Sequence, residues 1–134
     1  MSVGFAVAAK HLAAQLHDEL FSHRTYAILG DGCMQEDVTL GAASLAGHWR
    51  LNNLTWYYDM NKIQISGKID RSTSDDIPAI FRGFGWTVQE IDGHSHAQIR
   101  SARKSAVTHK EKPTLIAGHT TIAKGAATLE GNHH

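Results

Sequence analysis

The chain has 134 residues, which is enough for one domain and too short for two ordinary ones. Its 13 basic residues balance its 13 acidic residues, which argues against nucleic acid or another polyanion being held through bulk charge. A single cysteine, Cys33, excludes an internal disulfide framework, and without a long apolar run or a signal-peptide start we expect a globular cytoplasmic protein with no membrane span.

Apolar periodicity predicts four helices that alternate with four strands. The predicted helices cover residues 2–20, 38–50 and 77–84, and a fourth begins at a capping box formed by Ser95 and Gln98. The inner face of that fourth helix is formed by Ile99, Ala102 and Ala106. The predicted strands cover residues 25–29, 54–58, 86–91 and 114–118. This alternation predicts an α/β fold with a parallel sheet and helices on both faces.

Two polar clusters follow predicted strands, at the edge of the sheet where such folds bind ligands. Gly30, Asp31 and Gly32 follow the first strand, and residues 59–61 follow the second. The glycines are expected to let the backbone turn sharply and to let a ligand approach it closely. Amides that lead into the next helix can face an anion. Because the carboxylate of Asp31 repels a phosphate unless a cation lies between them, this turn predicts a metal-bridged phosphate.

Asn61 lies 30 positions after Asp31, a gap that suits one crossover helix and one strand. We expect the two side chains at the same sheet edge, on strands separated by one or two spacings of about 5 Å. Mg²⁺ takes six oxygen ligands at about 2.1 Å. Asp31, the amide oxygen of Asn61 and a downstream carbonyl, for which Ile63 is favoured, supply three. Two diphosphate oxygens and one water complete the octahedron.

Each half of this pattern has a simpler alternative. A Gly-Asp-Gly turn is common by itself, and Asn61-Lys62 can be a plain turn after a strand. The two halves at this spacing are more specific. The rival phosphate motifs Gly-x-Gly-x-x-Gly after a strand and Gly-x-x-x-x-Gly-Lys-Ser/Thr are absent from the sequence.

The residues around both clusters resemble the thiamine-diphosphate-binding motif of the transketolase family. Residues 30–36, Gly-Asp-Gly-Cys-Met-Gln-Glu, resemble the family's Gly-Asp-Gly-Cys-Met-x-Glu. Residues 59–67 resemble its Asp-x-Asn-x-Ile-x-Ile-x-Gly. Further resemblances follow in order at residues 44–47, 84–86, 92–94, 112–114 and 120–122, so the resemblance covers nearly the whole chain.

The resemblance implies roles for individual residues. Asp31, Asn61 and the carbonyl of Ile63 are implied to bind Mg²⁺ or Ca²⁺, and Gly32 is implied to contact the diphosphate, with Gly30 in the same cofactor-binding turn. Glu36 is implied to join a carboxylate network that links the two cofactor sites of a dimer. A plain first-turn acid, which favours the helix dipole by about 0.3–1 kcal/mol, is the alternative for Glu36.

The resemblance also implies a function and its limits. The complete enzyme uses thiamine diphosphate to move a two-carbon ketol unit between sugar phosphates. Residues 1–134 are expected to be a single truncated diphosphate-binding domain without the family's upstream glycine-rich loop and pyrimidine-binding domain. We expect a homodimer or pairing with a pyrimidine-binding chain, and therefore exposed apolar surface. A fragment or split subunit that folds but has no activity alone, and an unrelated nucleotide binder, are the alternatives.

Several positions depart from the family pattern or have simple interpretations. Gly41 stands where the family usually has a second network glutamate, and Ala123 stands where it has a glycine that can adopt positive φ. We expect Cys33 to be a small packing residue, with a reactive thiol as the alternative. We expect His94 and His96 to be loop and first-turn residues, with a metal pair as the alternative. The segment Gly131-Asn132-His133 resembles the start of the family's Gly-Thr-His segment.

Overall fold

A computed structural model describes residues 1–65 and 67–132, so Ser66 of the second motif and His133 of the last resemblance lie outside the described residues. The helices are α1 (Ser2–Gln15), α2 (Asp18–Phe21), α3 (Asp31–Met34), α4 (Asp37–His48), α5 (Ile77–Gly83) and α6 (His96–Thr108), with a 3₁₀ turn at Ile69–Arg71. The strands are β1 (Thr25–Gly30), β2 (Leu54–Met60), β3 (Ile63–Gln64), β4 (Gly67–Lys68), β5 (Thr87–Asp92) and β6 (Thr114–His119).

Four strands form a parallel sheet in the order β1-β2-β6-β5, which confirms the predicted α/β class. The last strand in the chain therefore lies inside the sheet, between β2 and β5. Gly30 is in register with Asp59, so the carboxyl ends of β1 and β2 are direct neighbours. The two predicted polar clusters are thus one strand spacing apart. The short strands β3 and β4 pair antiparallel just beyond this edge.

One face of the sheet is closed by α1, α4 and α5 over a core rich in aromatic rings. The ring centroids of Trp56 and Trp86 are 4.9 Å apart, and those of Phe81 and Trp86 are 5.1 Å apart. The indole N–H of Trp86 donates to the carbonyl of Ala43 at 2.8 Å, so its polar atom is satisfied inside the core. We call this side the closed face.

The other face is covered by α6 alone among the described helices, where Ala102 and Ala106 pack on Ile116. Toward β1 this face is uncovered: Tyr26 is 41% exposed and Ile28 is 82% exposed. We call the surface formed by Tyr26, Ile28 and half-buried Tyr57 the open face. The expected exposed apolar surface is therefore present, and helices lie on both faces as predicted, although unequally.

The prediction of one continuous helix over residues 2–20 is wrong near the end of that range. The helix of residues 2–20 is two helices, because α1 ends at Gln15 and the backbone of His17 is extended (φ −147°). His17 starts α2, whose first turn carries Asp18 and Glu19 and is favoured by their charge. Leu20, which extended the apolar period, is exposed.

The capping box that opens α6 is only half formed. The hydroxyl of Ser95 accepts from the backbone N–H of Gln98 at 3.4 Å, as predicted. The Gln98 side chain does not return the bond to Ser95, since its Oε1 accepts from the N–H of Asp92 at 2.9 Å. It ties the start of α6 to the end of β5 instead.

Among the described residues no helix is long and apolar enough to cross a bilayer.

Candidate functional site

Asp31 is the centre of a hydrogen-bonded cluster at the carboxyl edge of the sheet. It begins α3 directly after β1, and only 3% of it is exposed. Its Oδ1 accepts from the hydroxyl of Tyr58 at 2.5 Å. Its Oδ2 accepts from the backbone N–H groups of Asn61 at 3.0 Å and of Lys62 at 2.8 Å. A buried carboxylate is thereby stabilised by three hydrogen-bond donors.

Lys62 has a left-handed backbone with φ 64°, which is unusual for a residue with a Cβ. The two successive N–H groups of Asn61 and Lys62 both reach the same oxygen of Asp31. Successive N–H groups around a left-handed residue form an anion-binding concavity. The carboxylate therefore offsets the cost of this conformation and fixes the path of the chain after β2.

The side chain of Asn61 continues the cluster toward Ile63 and Asp59. Its Oδ1 accepts from the N–H of Ile63 at 2.9 Å, and its Nδ2 donates to Oδ2 of Asp59 at 3.1 Å. The other carboxylate oxygen of Asp59 accepts from the hydroxyl of Thr120, in the segment after β6. The three residues predicted to bind a metal thus meet in one connected cluster, in which the side-chain oxygens of Asp31 and Asn61 already accept hydrogen bonds.

The oxygen atoms of this cluster fit a hard divalent cation. A carboxylate has about four acceptor positions and an amide oxygen two. Asp31 uses three and Asn61 uses one in the bonds above, so each retains a position on Oδ1. No group of three or more His, Cys, Asp or Glu side chains converges in the part of the chain that the structure describes. The protein would thus bind a cation here through one carboxylate and neutral oxygens. A bound anionic compound would have to supply further negative charge.

The glycines of the turn act differently from the prediction. Gly30 is extended (φ −101°), and Gly32 is a helical residue of α3 that is not among the positive-φ glycines of the described chain. The chain passes directly from β1 into α3 at Gly30, so the expected sharp turn is present, although it uses no positive φ. A Cβ at Gly30 would meet no atom within 4 Å, and one at Gly32 would come only to 3.9 Å from Cβ of Gln64. The space beside both residues is open, which supports the close approach of a ligand.

Two cavities meet at Ile63. One, of about 300 Å³, has a lining that includes Asn61, Lys62 and Ile63, with Lys68 and Asp70 as further charged residues. The other, of about 330 Å³, has a mostly apolar lining that includes Ile63 and the fully exposed side chain of Ile65. Ile63 thus borders both a polar cavity with charged residues and a mostly apolar one.

Burial and the hydrogen bond to Asp31 raise the pKa of Tyr58. The phenol therefore stays protonated and acts as a donor to Asp31 throughout the neutral range. Tyr58 carries no motif that marks it as a functional residue, and the sequence pattern indicates only that it ends a predicted strand.

A closed ring of polar side chains holds the β3–β4 hairpin against α3. Gln35 Nε2 donates to Gln64 Oε1 at 2.9 Å, Gln64 Nε2 donates to the Ser72 hydroxyl at 2.9 Å, and that hydroxyl donates to Gln35 Oε1 at 3.0 Å. Gln35 follows α3 and Gln64 follows Ile63, so the ring ties the two loops of the cluster together. Sequence reasoning missed this ring, because isolated glutamines carry no spacing signal.

Glu36 and Cys33 differ from expectation. Glu36 is the exposed N-cap residue of α4, and its side chain makes no capping bond, so the acid in the first turn is Asp37 rather than Glu36. The prediction that Cys33 packs inside was wrong, since it is an exposed free cysteine. Gly41 is exposed on α4, and a Cβ there would meet no atom within 4 Å.

His94 stabilises the segment that follows β6. Its Nε2 accepts from the N–H of Thr121 at 2.8 Å, so it is a loop residue as expected. His96 is the first residue of α6. Ala123, at the end of this segment, has φ 53°, the left-handed conformation for which the family's glycine is suited. The segment borders a cavity of about 380 Å³ that extends to the open face.

The chain matches known proteins along its full length. The family profile "Transketolase, thiamine diphosphate binding domain" matches residues 1–134. Transketolase 2 of Xanthobacter flavus is 44% identical over 135 residues, which cover 98% of this chain and 20% of that protein. The chloroplastic transketolase of Solanum tuberosum is 43% identical over 130 residues, which cover 93% of this chain and 18% of that protein.

Solved structures agree. A crystal structure of transketolase from Campylobacter jejuni has a TM-score of 0.92 at 39% identity and covers 98% of this chain and 21% of that chain. Transketolase from Pichia stipitis in complex with sedoheptulose 7-phosphate has a TM-score of 0.91 at 36% identity, covering 98% of this chain and 20% of that chain. The chain spans about a fifth of the length of these relatives. The resemblance seen in the sequence is thereby confirmed, and the chain belongs to the transketolase family as its thiamine diphosphate binding domain.

Proposed function

We propose that this domain holds the metal-diphosphate end of thiamine diphosphate in a cytoplasmic, transketolase-like enzyme. The observation that carries the proposal is the single cluster in which Asp31, Asn61 and Ile63 meet at the carboxyl ends of two adjacent strands. The reaction proposed for the complete protein is the transfer of a two-carbon ketol unit between sugar phosphates. A relative from Pichia stipitis in complex with sedoheptulose 7-phosphate supports this substrate class.

The proposed metal is Mg²⁺, with Ca²⁺ as the alternative. Oδ1 of Asp31, Oδ1 of Asn61 and the carbonyl of Ile63 would bind it, and diphosphate oxygens would complete its shell. The open space beside Gly30 and Gly32 supports contact between the diphosphate and the backbone. Lys62 and Lys68, which line the adjoining cavity, would offset the remaining negative charge.

The domain's own part in catalysis is to bind and orient. Thiamine diphosphate supplies the carbon nucleophile when it is bound, so the carbon chemistry belongs to the cofactor. The cluster fixes the diphosphate end, and the apolar side chains near Ile63 and Ile65 give the cofactor's ring a surface to lie against. A group that must react at one end is positioned by rigid contacts at the other.

A second copy of the chain, or a pyrimidine-binding chain, is the proposed partner. The outward side of α4 carries Val38, Leu45 and Trp49 at helical spacing, all exposed, with Gly41 between them. Exposed Glu36 lies at the start of this stripe, where it could face the partner. An exposed apolar stripe on a helix is typical of a protein interface.

The binding proposal is tested by calorimetry. Thiamine diphosphate is titrated into the chain with Mg²⁺ and again with a chelator, for the wild type and for Asp31→Asn. We expect binding that requires Mg²⁺ and is lost in Asp31→Asn, because the substitution removes the only carboxylate among the proposed ligands. Asp18→Asn, the same charge change on α2, is the matched control and should bind like the wild type. Binding that is independent of the metal, or unchanged in Asp31→Asn, would overturn the proposal.

The span of about a fifth of its relatives favours a second candidate, a subunit or fragment that has no activity alone. A ketol-transfer assay of the chain alone, and of the chain mixed with a pyrimidine-binding domain, separates the two. Activity only in the mixture supports a split enzyme. Activity of the chain alone excludes the inert fragment.

A further inference from the structure

Tyr58 is the neutral side chain that donates a hydrogen bond to the carboxylate of Asp31 within the described residues. It lies on β2, on the closed face, with only 3% of it exposed. Its hydroxyl donates to Oδ1 of Asp31 at 2.5 Å, and both groups are buried. Its ring packs in the core, and this packing fixes the position of the hydroxyl relative to Asp31.

The acceptor positions of Asp31 show what this bond does. Oδ2 is fully used by the N–H groups of Asn61 and Lys62. Oδ1 has two positions, and Tyr58 occupies one of them. The single acceptor position of Asp31 that remains free is therefore on Oδ1, the oxygen to which Tyr58 donates. Without the hydroxyl, Oδ1 would carry two unfilled positions and no protein donor to set its direction.

We propose that Tyr58 is a positioning residue for the divalent cation, acting through its hydrogen bond to Oδ1 of Asp31. This inference rests on the proposed function of Asp31 as a metal ligand. Outer partners of this kind orient the ligating atom and leave it one lone pair for the metal, and their loss typically weakens metal affinity about 10–100-fold. A purely structural Tyr58 would contribute to core packing and leave metal affinity unchanged.

Tyr58→Phe tests the inference, because it removes the hydroxyl and keeps the ring. Tyr57→Phe is the matched control, since Tyr57 is the adjacent strand residue on the opposite face and packs beside Tyr26. Mn²⁺ serves as the probe, titrated in the presence of thiamine diphosphate, with free Mn²⁺ followed by electron paramagnetic resonance. Melting temperatures are recorded for all variants.

We expect Tyr58→Phe to bind Mn²⁺ about 10–100-fold more weakly than the wild type, and Tyr57→Phe to match the wild type. Equal Mn²⁺ affinity in Tyr58→Phe and the wild type overturns the inference, including when the melting temperature falls. If the wild type itself binds no Mn²⁺ with thiamine diphosphate, the proposed function fails, and this inference fails with it.

Discussion

The two faces of the sheet differ in how completely they are covered. On the closed face, three helices surround a cluster of Trp56, Phe81 and Trp86 in mutual ring contact. On the open face, α6 covers one side and leaves Tyr26 and Ile28 exposed. The stability of the domain therefore rests on the closed face, whereas the open face offers apolar area for association. The Asp31 cluster lies at the edge that both faces share.

The largest expected effect on stability comes from removing a buried aromatic ring from the core of the closed face. Phe81→Ala should lower the free energy of unfolding by about 3–5 kcal/mol, because a fully buried ring is replaced by a cavity. Ile28→Ala, on the open face, should change it by about 0.5 kcal/mol or less. Urea denaturation of both variants measures the difference. Similar losses in the two variants would contradict the division of roles between the faces.

A second prediction compares the two sides of α4. A Cβ at Gly47 would lie 1.8 Å from the carbonyl oxygen of Phe84, so Gly47→Ala should cost about 1–3 kcal/mol through forced backbone movement. Gly41 faces open space on the same helix, and Gly41→Ala should stabilise by about 0.5–1 kcal/mol. Thermal and urea unfolding of the pair should give opposite signs. The same sign in both would show that α4 does not pack as described.

Much of this architecture could be predicted from the sequence, because its signals are local or periodic. Short apolar runs ended by polar residues marked the four main strands, and their alternation with helices implied a parallel sheet. The spacing of Asp31 and Asn61 then placed both residues at one edge, since carboxyl ends of parallel strands share it. The spacing left open whether one or two strand spacings separate them, and the pairing of β1 with β2 brings them into one cluster.

The rest depended on three-dimensional contacts that no spacing reveals. The hydrogen bond between Tyr58 and Asp31 joins a strand residue, for which the sequence indicates no functional role, to the carboxylate at the start of α3. The left-handed backbone of Lys62 accompanies the convergence of two N–H groups on one oxygen of Asp31. A lysine gives no sequence signal for this conformation. The turn from β1 into α3 at Gly30 was expected, but its ordinary backbone angle was not evident from the sequence, since the glycine there leaves open space rather than supplying a positive φ.

A third and smaller effect concerns the segment beside the open-face cavity. Ala123→Gly should stabilise the domain by about 0.5–1 kcal/mol, because relief of the left-handed strain exceeds the added flexibility of the unfolded chain. Ala126, in the same segment, has no positive φ, so Ala126→Gly should destabilise by a comparable amount. Differential scanning calorimetry of both variants checks the signs. A loss of stability in Ala123→Gly would be inconsistent with strain at this residue.

The smallest expected effect lies at the rim of the closed face, where α5 meets β5. The hydrogen bond from Arg82, at 2.7 Å, holds the pKa of Glu90 below its ordinary value of 4.5. A lowered folded pKa means that this contribution is present above the ordinary value and is lost as the pH falls through the lowered one. Melting temperature against pH should therefore decline less on acidification in Arg82→Met than in the wild type. Because both side chains are partly exposed, high salt should reduce the difference.

The position of β6 inside the sheet has a consequence for how the domain is made. Residues 114–119 pair with β2 on one side and with β5 on the other, so neither neighbour is complete until this late stretch has been synthesised. A ribosome-bound chain that has not reached residue 114 therefore presents two strand edges with free hydrogen-bonding groups. Such edges are the surfaces that recruit other chains into aggregates and that chaperones cover. The sheet is therefore complete only once residues 114–119 pair with both of these strands.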